Sequence, residues 1–409
     1  MVFCVRIQRA CLALTIALSG LAACSSSDPP EVAHRDDAGT GGGGGGGKDG
    51  SADVSVPDSA APDAGDGGGM DASVAAVRLG IEPNPPPGGS ATDQLKSQLD
   101  VLAAGSRGIP LVRRWSELYP SPSQADAKVW ARLASTAELI RNAQQQTLFC
   151  LAVVNHEQDA RPSGLPSDWG APATLAAADA LVDTTYATFD DELGYLAVGT
   201  DVDLFLAQLT SAQKQGFVAF AKHVLSYAKS HPDKPAMLRV GVTITSNGIA
   251  KGPTPELSEL LAASDVAIVT YTAVDESFMA RPASTAAGDL DAMETALEVE
   301  AGAALPIVLQ EVAYPSSEQA GSSETKQTTF FDGLAQALSA RRAHHPFVGI
   351  RSLYDADPST CAAEAQALGA PGNAAAIATS CSLGLRRADG TPKPAQASVY
   401  QALATFATP

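Results

Sequence analysis

The chain has 409 residues, 45 Asp and Glu against 27 Lys and Arg, and a formal net charge of −18. A balance this acidic excludes nucleic acid and anionic surfaces as partners for the folded part. No zinc-ligand cluster, P-loop or Gly-x-Ser-x-Gly nucleophile elbow is present, so no metal or cofactor is expected.

The first element is a targeting segment. Arg6 and Arg9 precede an apolar run from Ala10 to Ala23 that is too short to span a bilayer. It ends Leu21-Ala22-Ala23-Cys24, which resembles the bacterial lipobox and makes Cys24 the expected lipidation site of an exported, membrane-anchored protein. Residues 1–23 are read as this signal peptide and 24–76 as a disordered tether. The tether holds the glycine run Gly41–Gly47, scattered Asp and Pro, and almost no large apolar residue. Such a segment buries too little surface to offset its ordering entropy and acts as a spacer.

Residues 77–409 alternate short apolar runs with helical stretches, the pattern of βαβ units and a parallel sheet. The expected strands are Arg78–Glu82, Pro110–Trp115, Thr147–Val154, Gly194–Asp201, Met237–Ile244, Val266–Tyr271, Pro306–Glu311 and Phe347–Tyr354. Between them, Ala125–Gln146 carries Val129, Leu133, Ala137 and Ile140 on one stripe. Gly216–Lys229 does the same with Phe217, Phe220, Val224 and Tyr227. Eight strands with alternating helices in one domain predict an α/β fold, a single (β/α)8 TIM barrel. The alternative, a doubly wound open sheet, lacks its glycine-rich first turn, because the first strand runs into Pro83-Asn84-Pro85-Pro86-Pro87. The long Ala-rich loop Pro358–Gly384 is expected over one side of the rim.

Of six cysteines, Cys4 and Cys11 leave with the signal and Cys24 is the anchor. Cys150 lies in an apolar strand and reads as a buried thiol. Cys361 and Cys381 flank a loop of an exported domain, which favours a disulfide between them, of roughly 3 kcal/mol in the chain-entropy model. Cys150 is the alternative partner of either.

Two of the expected strands end on acids, Asp201 and Glu311. In a barrel both ends lie at the active-site rim, and a carboxylate pair suits glycosidic bond cleavage. The surrounding residues carry a family resemblance. Tyr195–Asp203 (YLAVGTDVD) resembles the Gly-Asn-Glu strand end of retaining glycoside hydrolases of the 4/7 barrel clan, which includes endo-galactanases, cellulases and mannanases. Gln310–Pro315 (QEVAYP) resembles the clan's nucleophile strand, and Arg114–Pro120 (RWSELYP) its second-strand turn. Ser382–Arg386 together with Asp389–Pro394 is similar to its closing segment.

The resemblance implies hydrolysis of a β-linked poly- or oligosaccharide, with Glu311 as nucleophile or base and Asp201 as acid. It also implies that Thr200 takes the place of the Asn that contacts the sugar 2-hydroxyl, and that Tyr271 hydrogen-bonds the nucleophile. Asp203 matches a clan residue that follows the acid/base. Arg114 or its neighbour Arg113 is expected to hold Glu311 ionised, and Asn155 and His156, ending the third strand, to read sugar hydroxyls. Trp115 and Trp169 are candidate stacking faces, and the protein is expected to act as a monomer. One departure matters: Thr200-Asp201 stands where the clan has Asn-Glu. Asp reaches about 1.5 Å less than Glu, while retaining chemistry wants carboxyls about 5–5.5 Å apart and inverting chemistry about 6.5–9.5 Å. The alternative is therefore a catalytically silent barrel that binds carbohydrate.

Overall fold

The computed structural model describes residues 77–301 and 305–407. The signal, the tether and Cys24 lie outside the described residues. Eight parallel strands form a closed ring: β1 Arg78–Ile81, β2 Gly108–Arg114, β3 Gln146–Asn155, β4 Leu193–Thr200, β5 Arg239–Thr245, β6 Ala267–Thr272, β7 Ile307–Ala313 and β8 Phe347–Ile350. Each pairs in parallel with the next, and β8 closes on β1 from Arg78↔Phe347 to Ile81↔Ile350. An outer helix follows every strand: α1 Ala91–Ala103, α2 Ala127–Asn142, α3 Pro172–Phe189, α4 Ser211–Ser230, α5 Pro255–Ala262, α6 Ala286–Ala301, α7 Glu324–Ser339 and α8 Pro394–Phe406. The fold is the expected (β/α)8 barrel.

Local chemistry sets these elements. Ser90 and Asp93 form a capping box at the start of α1, as do Thr210 and Gln213 at α4, and Asp126 caps α2 through the amides of Lys128 and Val129. The strands bury both faces. Outward residues such as Phe149, Leu196, Val269 and Leu309 join the apolar layer beneath the helices. Inward residues such as Leu148, Cys150, Ala197, Ile268 and Val308 fill the lumen, where Tyr195 meets Phe347 edge-on at 5.4 Å. Each large side chain so buried contributes about 1.5–3 kcal/mol.

The lumen turns polar near the C-terminal end of the strands, and a β-bulge is responsible. Between β6 and β7, Val269 pairs with Leu309 but Thr270 pairs with Glu311, so Gln310 is an extra residue. Leu309 and Val312 both face the outer layer. The two residues between them therefore turn inward together. Gln310 accepts a hydrogen bond from Thr243 at 2.9 Å, and Glu311 enters the mouth. The bulge needs space on β8: a Cβ at Gly349 would lie 2.2 Å from the Gln310 carbonyl oxygen. Gly349→Ala is expected to lower unfolding free energy in urea by about 1–3 kcal/mol, the scale of an overpacked core. Wild-type stability in that variant would contradict the assignment of the bulge.

Candidate active site

The C-terminal ends of the strands bring together charged side chains from five separate segments. β4 ends through Gly199 at φ +81°, where a Cβ would meet Val202 Cγ1 at 2.7 Å, and delivers Asp201 at φ +53°. His156, just after β3, is also left-handed at φ +54°. Non-glycine residues in this region are uncommon and cluster at functional sites. These two face each other: His156 Nδ1 lies 2.7 Å from Asp201 Oδ2. The Thr270 hydroxyl, from β6, donates to Asp201 Oδ1, so both carboxylate oxygens of Asp201 are engaged.

The second imidazole nitrogen of His156 reaches Glu364 Oε1 at 3.2 Å, and that same oxygen accepts from Arg351 Nη2. Arg351 Nη1 in turn lies 3.5 Å from Glu311 Oε2. The sequence of contacts Asp201–His156–Glu364–Arg351–Glu311 alternates in sign across the mouth. Glu364 sits on a helix, Pro358–Ala367, that is tied by the Cys361–Cys381 disulfide. The expected disulfide is thus formed, and Cys150 is a buried free thiol.

Electrostatics follow from burial and pairing. Burial works against a charge on His156, but Glu364 and Asp201 outweigh it and push the imidazole up to about 10. At neutral pH it is an imidazolium that donates from both nitrogens. Burial would raise Glu364, yet Arg351 and His156 hold its carboxyl well below the usual range. Burial raises Glu311, with Arg351 opposing. Glu82, just beyond β1, is pushed up to about 8 by burial and then by the Glu311 charge, against Arg113 and Arg351.

Two cavities flank this chain of charges. The larger, about 230 Å3, is lined by His156, Asp201, Thr245, Asn247, Thr270 and Arg351 among others. The smaller, about 160 Å3, is lined by Glu82, Asn84, Tyr354, Thr360 and Glu364, again with Arg351. The walls mix the two kinds of surface: Leu204, Val274, Phe278 and Leu368 stand beside the polar groups of the larger cavity, and both cavities are smaller than the roughly 300–1,000 Å3 of drug-sized sites.

Several expected site residues lie elsewhere. Tyr271 points outward from β6: it is fully buried against Phe330 and donates to Asp289 at 2.7 Å, away from Glu311. Trp115 is buried in the outer layer at 6.2 Å from Phe220, and Trp169 packs among Phe205, Phe217 and Phe220 with Arg161 over its ring at 3.7 Å. Neither offers a stacking face. Arg114 is partly exposed, 4.0 Å from Glu117; Arg351 takes the part expected of it beside Glu311. The Thr200 hydroxyl turns down into the lumen, 3.3 Å from Cys150 Sγ. Asn155 is buried at the mouth, and its Nδ2 has no hydrogen-bond partner among the described residues. Asp203 accepts from the amide and hydroxyl of Thr245, and burial followed by the Asp201 charge pushes it up to about 6.

Glu82, Thr270, Arg351 and Glu364 are the residues sequence reasoning missed. Glu82 and Arg351 carry the same signal that marks Glu311, a charge closing an apolar strand. Thr270 sits inside a strand and Glu364 on an inserted helix, where no periodicity marks either.

No protein-family model and no curated sequence matches the chain. Solved structures do match its fold. GH5_18 from Bifidobacterium longum subsp. longum is 15% identical with a TM-score of 0.63, over 82% of this chain and 80% of that one. A GH5_18 variant from Streptomyces cattleya, in complex with Manb1-4GlcNAc, is 16% identical with a TM-score of 0.58, over 81% of each chain. The exo-beta-1,4-mannosidase Op5Man5 from Opitutaceae bacterium strain TAV5 is 14% identical with a TM-score of 0.59, over 80% of this chain and 59% of that one. At these identities the likeness is one of fold.

The imidazolium has a measurable consequence. Its folded pKa of about 10 stands above the ordinary histidine value of 6.5. The stability it contributes is therefore complete below the lower value and is lost as pH rises through the upper one. Between pH 8 and 10, where Glu82 has passed its own transition, the resistance of the wild type to urea is expected to fall. His156→Gln should flatten that decline. Equal slopes in both proteins would show that His156 is not held as a cation.

Proposed function

We propose that the chain hydrolyses glycosidic bonds of a β-linked oligosaccharide at the mouth of its barrel. The observation that carries this reading is Glu311 itself. A bulge turns it into the C-terminal mouth, Arg351 lies 3.5 Å from its carboxylate, and Asp201 lines the adjoining cavity. Catalytic groups of (β/α)8 enzymes sit at this end of the strands, and the fold neighbours include an exo-beta-1,4-mannosidase. A β-linked manno-oligosaccharide is the substrate class we favour, and the cavity has the size to hold a terminal sugar.

In this mechanism the Arg351 charge favours the Glu311 anion, which either attacks the anomeric carbon or takes the proton of an attacking water. The bond from that carbon to the leaving oxygen breaks, and the oxygen takes a proton from Asp201. That proton comes from the hydrogen-bonded pair His156–Asp201, whose Nδ1 and Oδ2 lie 2.7 Å apart. Water later restores it.

A second reading is supported by the same engagement of Asp201. A barrel whose acid is fully hydrogen-bonded binds a glycan without cleaving it. The two readings separate on an aryl β-mannoside. Glu311→Gln should lower kcat by about 10²–10⁴-fold, and Asp201→Asn should lower it less, since an aryl leaving group hardly needs protonation. Turnover unaffected by Glu311→Gln would contradict the site assignment. No wild-type turnover, with mannobiose binding retained, would favour the binder. We also propose that Cys24 is lipidated and anchors the domain to a bacterial membrane. Cys24→Ser should then move the protein to the soluble fraction, and a wild type already soluble would contradict the anchor.

A further inference from the structure

Glu364 does not belong to the barrel's own strand ends. It arrives on the insertion 358–384, which contains the helices Pro358–Ala367 and Ala374–Ser380 and is closed by the Cys361–Cys381 disulfide. The insertion is fastened around the mouth. Its Ala367 carbonyl accepts from the Glu157 amide after β3 at 3.1 Å, and its Thr379 hydroxyl donates to the Phe278 carbonyl after β6 at 2.8 Å. Its Ser382 carbonyl accepts from the Ser316 amide after β7 at 3.1 Å. From this strap a single side chain reaches down between the two cationic groups of the mouth, His156 and Arg351.

The position of that side chain is informative. The larger and smaller cavities share Arg351, Ser380 and Leu383 as walls, so they are neighbours separated at Arg351. Glu364 bonds to Arg351 at that partition. Glu311, the residue with the clearest chemical role, is a wall of neither cavity. It is 8% exposed, with Arg351 on its carboxylate. The buried charges also make the partition cohesive, since removing one member of a buried ion pair leaves the others uncompensated.

We propose that Glu364 is an internal gate: by holding Arg351, a wall of both cavities, it keeps one glycan cleft divided, and its withdrawal from His156 and Arg351 frees that wall, joins the cavities and opens Glu311 to a ligand. This rests on the reading of the mouth as a carbohydrate site and adds to it how that site is controlled. The ligand supplies hydroxyls to His156 and Arg351 in place of the carboxylate, so the gate opens by exchange of hydrogen bonds rather than by exposing bare charges. The cleft it creates runs from Asp201 and Asn247 on one side to Glu82 and Asn84 on the other. That matches a chain of linked sugar rings rather than one.

The test reads access to Glu311 without relying on turnover. The full chain is treated with a water-soluble carbodiimide and an amine, and modification of Glu311 is followed by peptide mass spectrometry. In Glu364→Ala the rate at Glu311 should rise about tenfold or more, the scale of one lost hydrogen bond to a charged group. Glu364→Gln, which keeps the shape, should give a smaller rise and covers the case in which the alanine variant does not fold. The wild type treated with dithiothreitol to open Cys361–Cys381 should also label faster. Unchanged labelling of Glu311 in the folded variants and after reduction would overturn the gate, as would wild-type labelling already as fast as that of an exposed carboxylate such as Glu276. The hydrolase reading fails separately: a rise in labelling with no turnover on an aryl β-mannoside in any variant keeps the gate and removes the enzyme.

Discussion

The mouth of this barrel depends on one constraint: charges taken out of water must be paired or they are not tolerated. Asp201, His156, Glu364, Arg351 and Glu311 meet that constraint by alternating in sign across the barrel end. Each comes from a different part of the chain, so the pairing also ties together β7, the segments after β3, β4 and β8, and the inserted helix. Remove one cation and two anions are left facing each other. The network is consequently both a structural clasp and the source of the protonation states that chemistry would use. The guanidinium partly opposes the burial that raises Glu311.

Backbone geometry puts these groups within reach. Two features do most of it, the extra residue Gln310 in β7 and the left-handed residues Gly199 and Asp201 at the end of β4. A bulge breaks the alternation of a strand, so consecutive residues face the same way. Here it leaves the lumen with Gln310 and the mouth with Glu311. Gly349 on the neighbouring strand is the steric counterpart, because any side chain would collide with the displaced carbonyl.

Much of the fold was legible in the amino-acid sequence for a simple reason. Parallel barrel strands are apolar on both faces, so they stand out as short greasy runs such as Phe149–Val154 and Ile307–Leu309. The same property hides which way each residue points. Nothing in Ala267-Ile268-Val269 says that Thr270 faces the mouth and Tyr271 the helices, and the expectation for Tyr271 failed there. Trp115 failed similarly, since a large aromatic after a strand serves the outer layer as well as it would a sugar. Asp201 and Glu311 were found because a carboxylate ending an apolar run is physically conspicuous. Glu82 and Arg351 carry that same mark, and weighing every charged strand end would have found them. Glu364 was not legible: its place is set by how an Ala-rich insertion folds back, which neither periodicity nor spacing records. The flanking cysteines pointed to the loop closure, but not to what the loop carries.

If the account is right, the charge network is the resting state of a carbohydrate site and Glu311 is its chemical centre. The most direct measurement is a crystal structure of the Glu311→Gln protein soaked with β-1,4-mannobiose. The account predicts a sugar ring in hydrogen-bond contact with residue 311 and Asp201, with the Glu364 carboxylate withdrawn from His156 and Arg351. A sugar bound away from the mouth, or an unchanged mouth with none bound at saturating concentration, would contradict it.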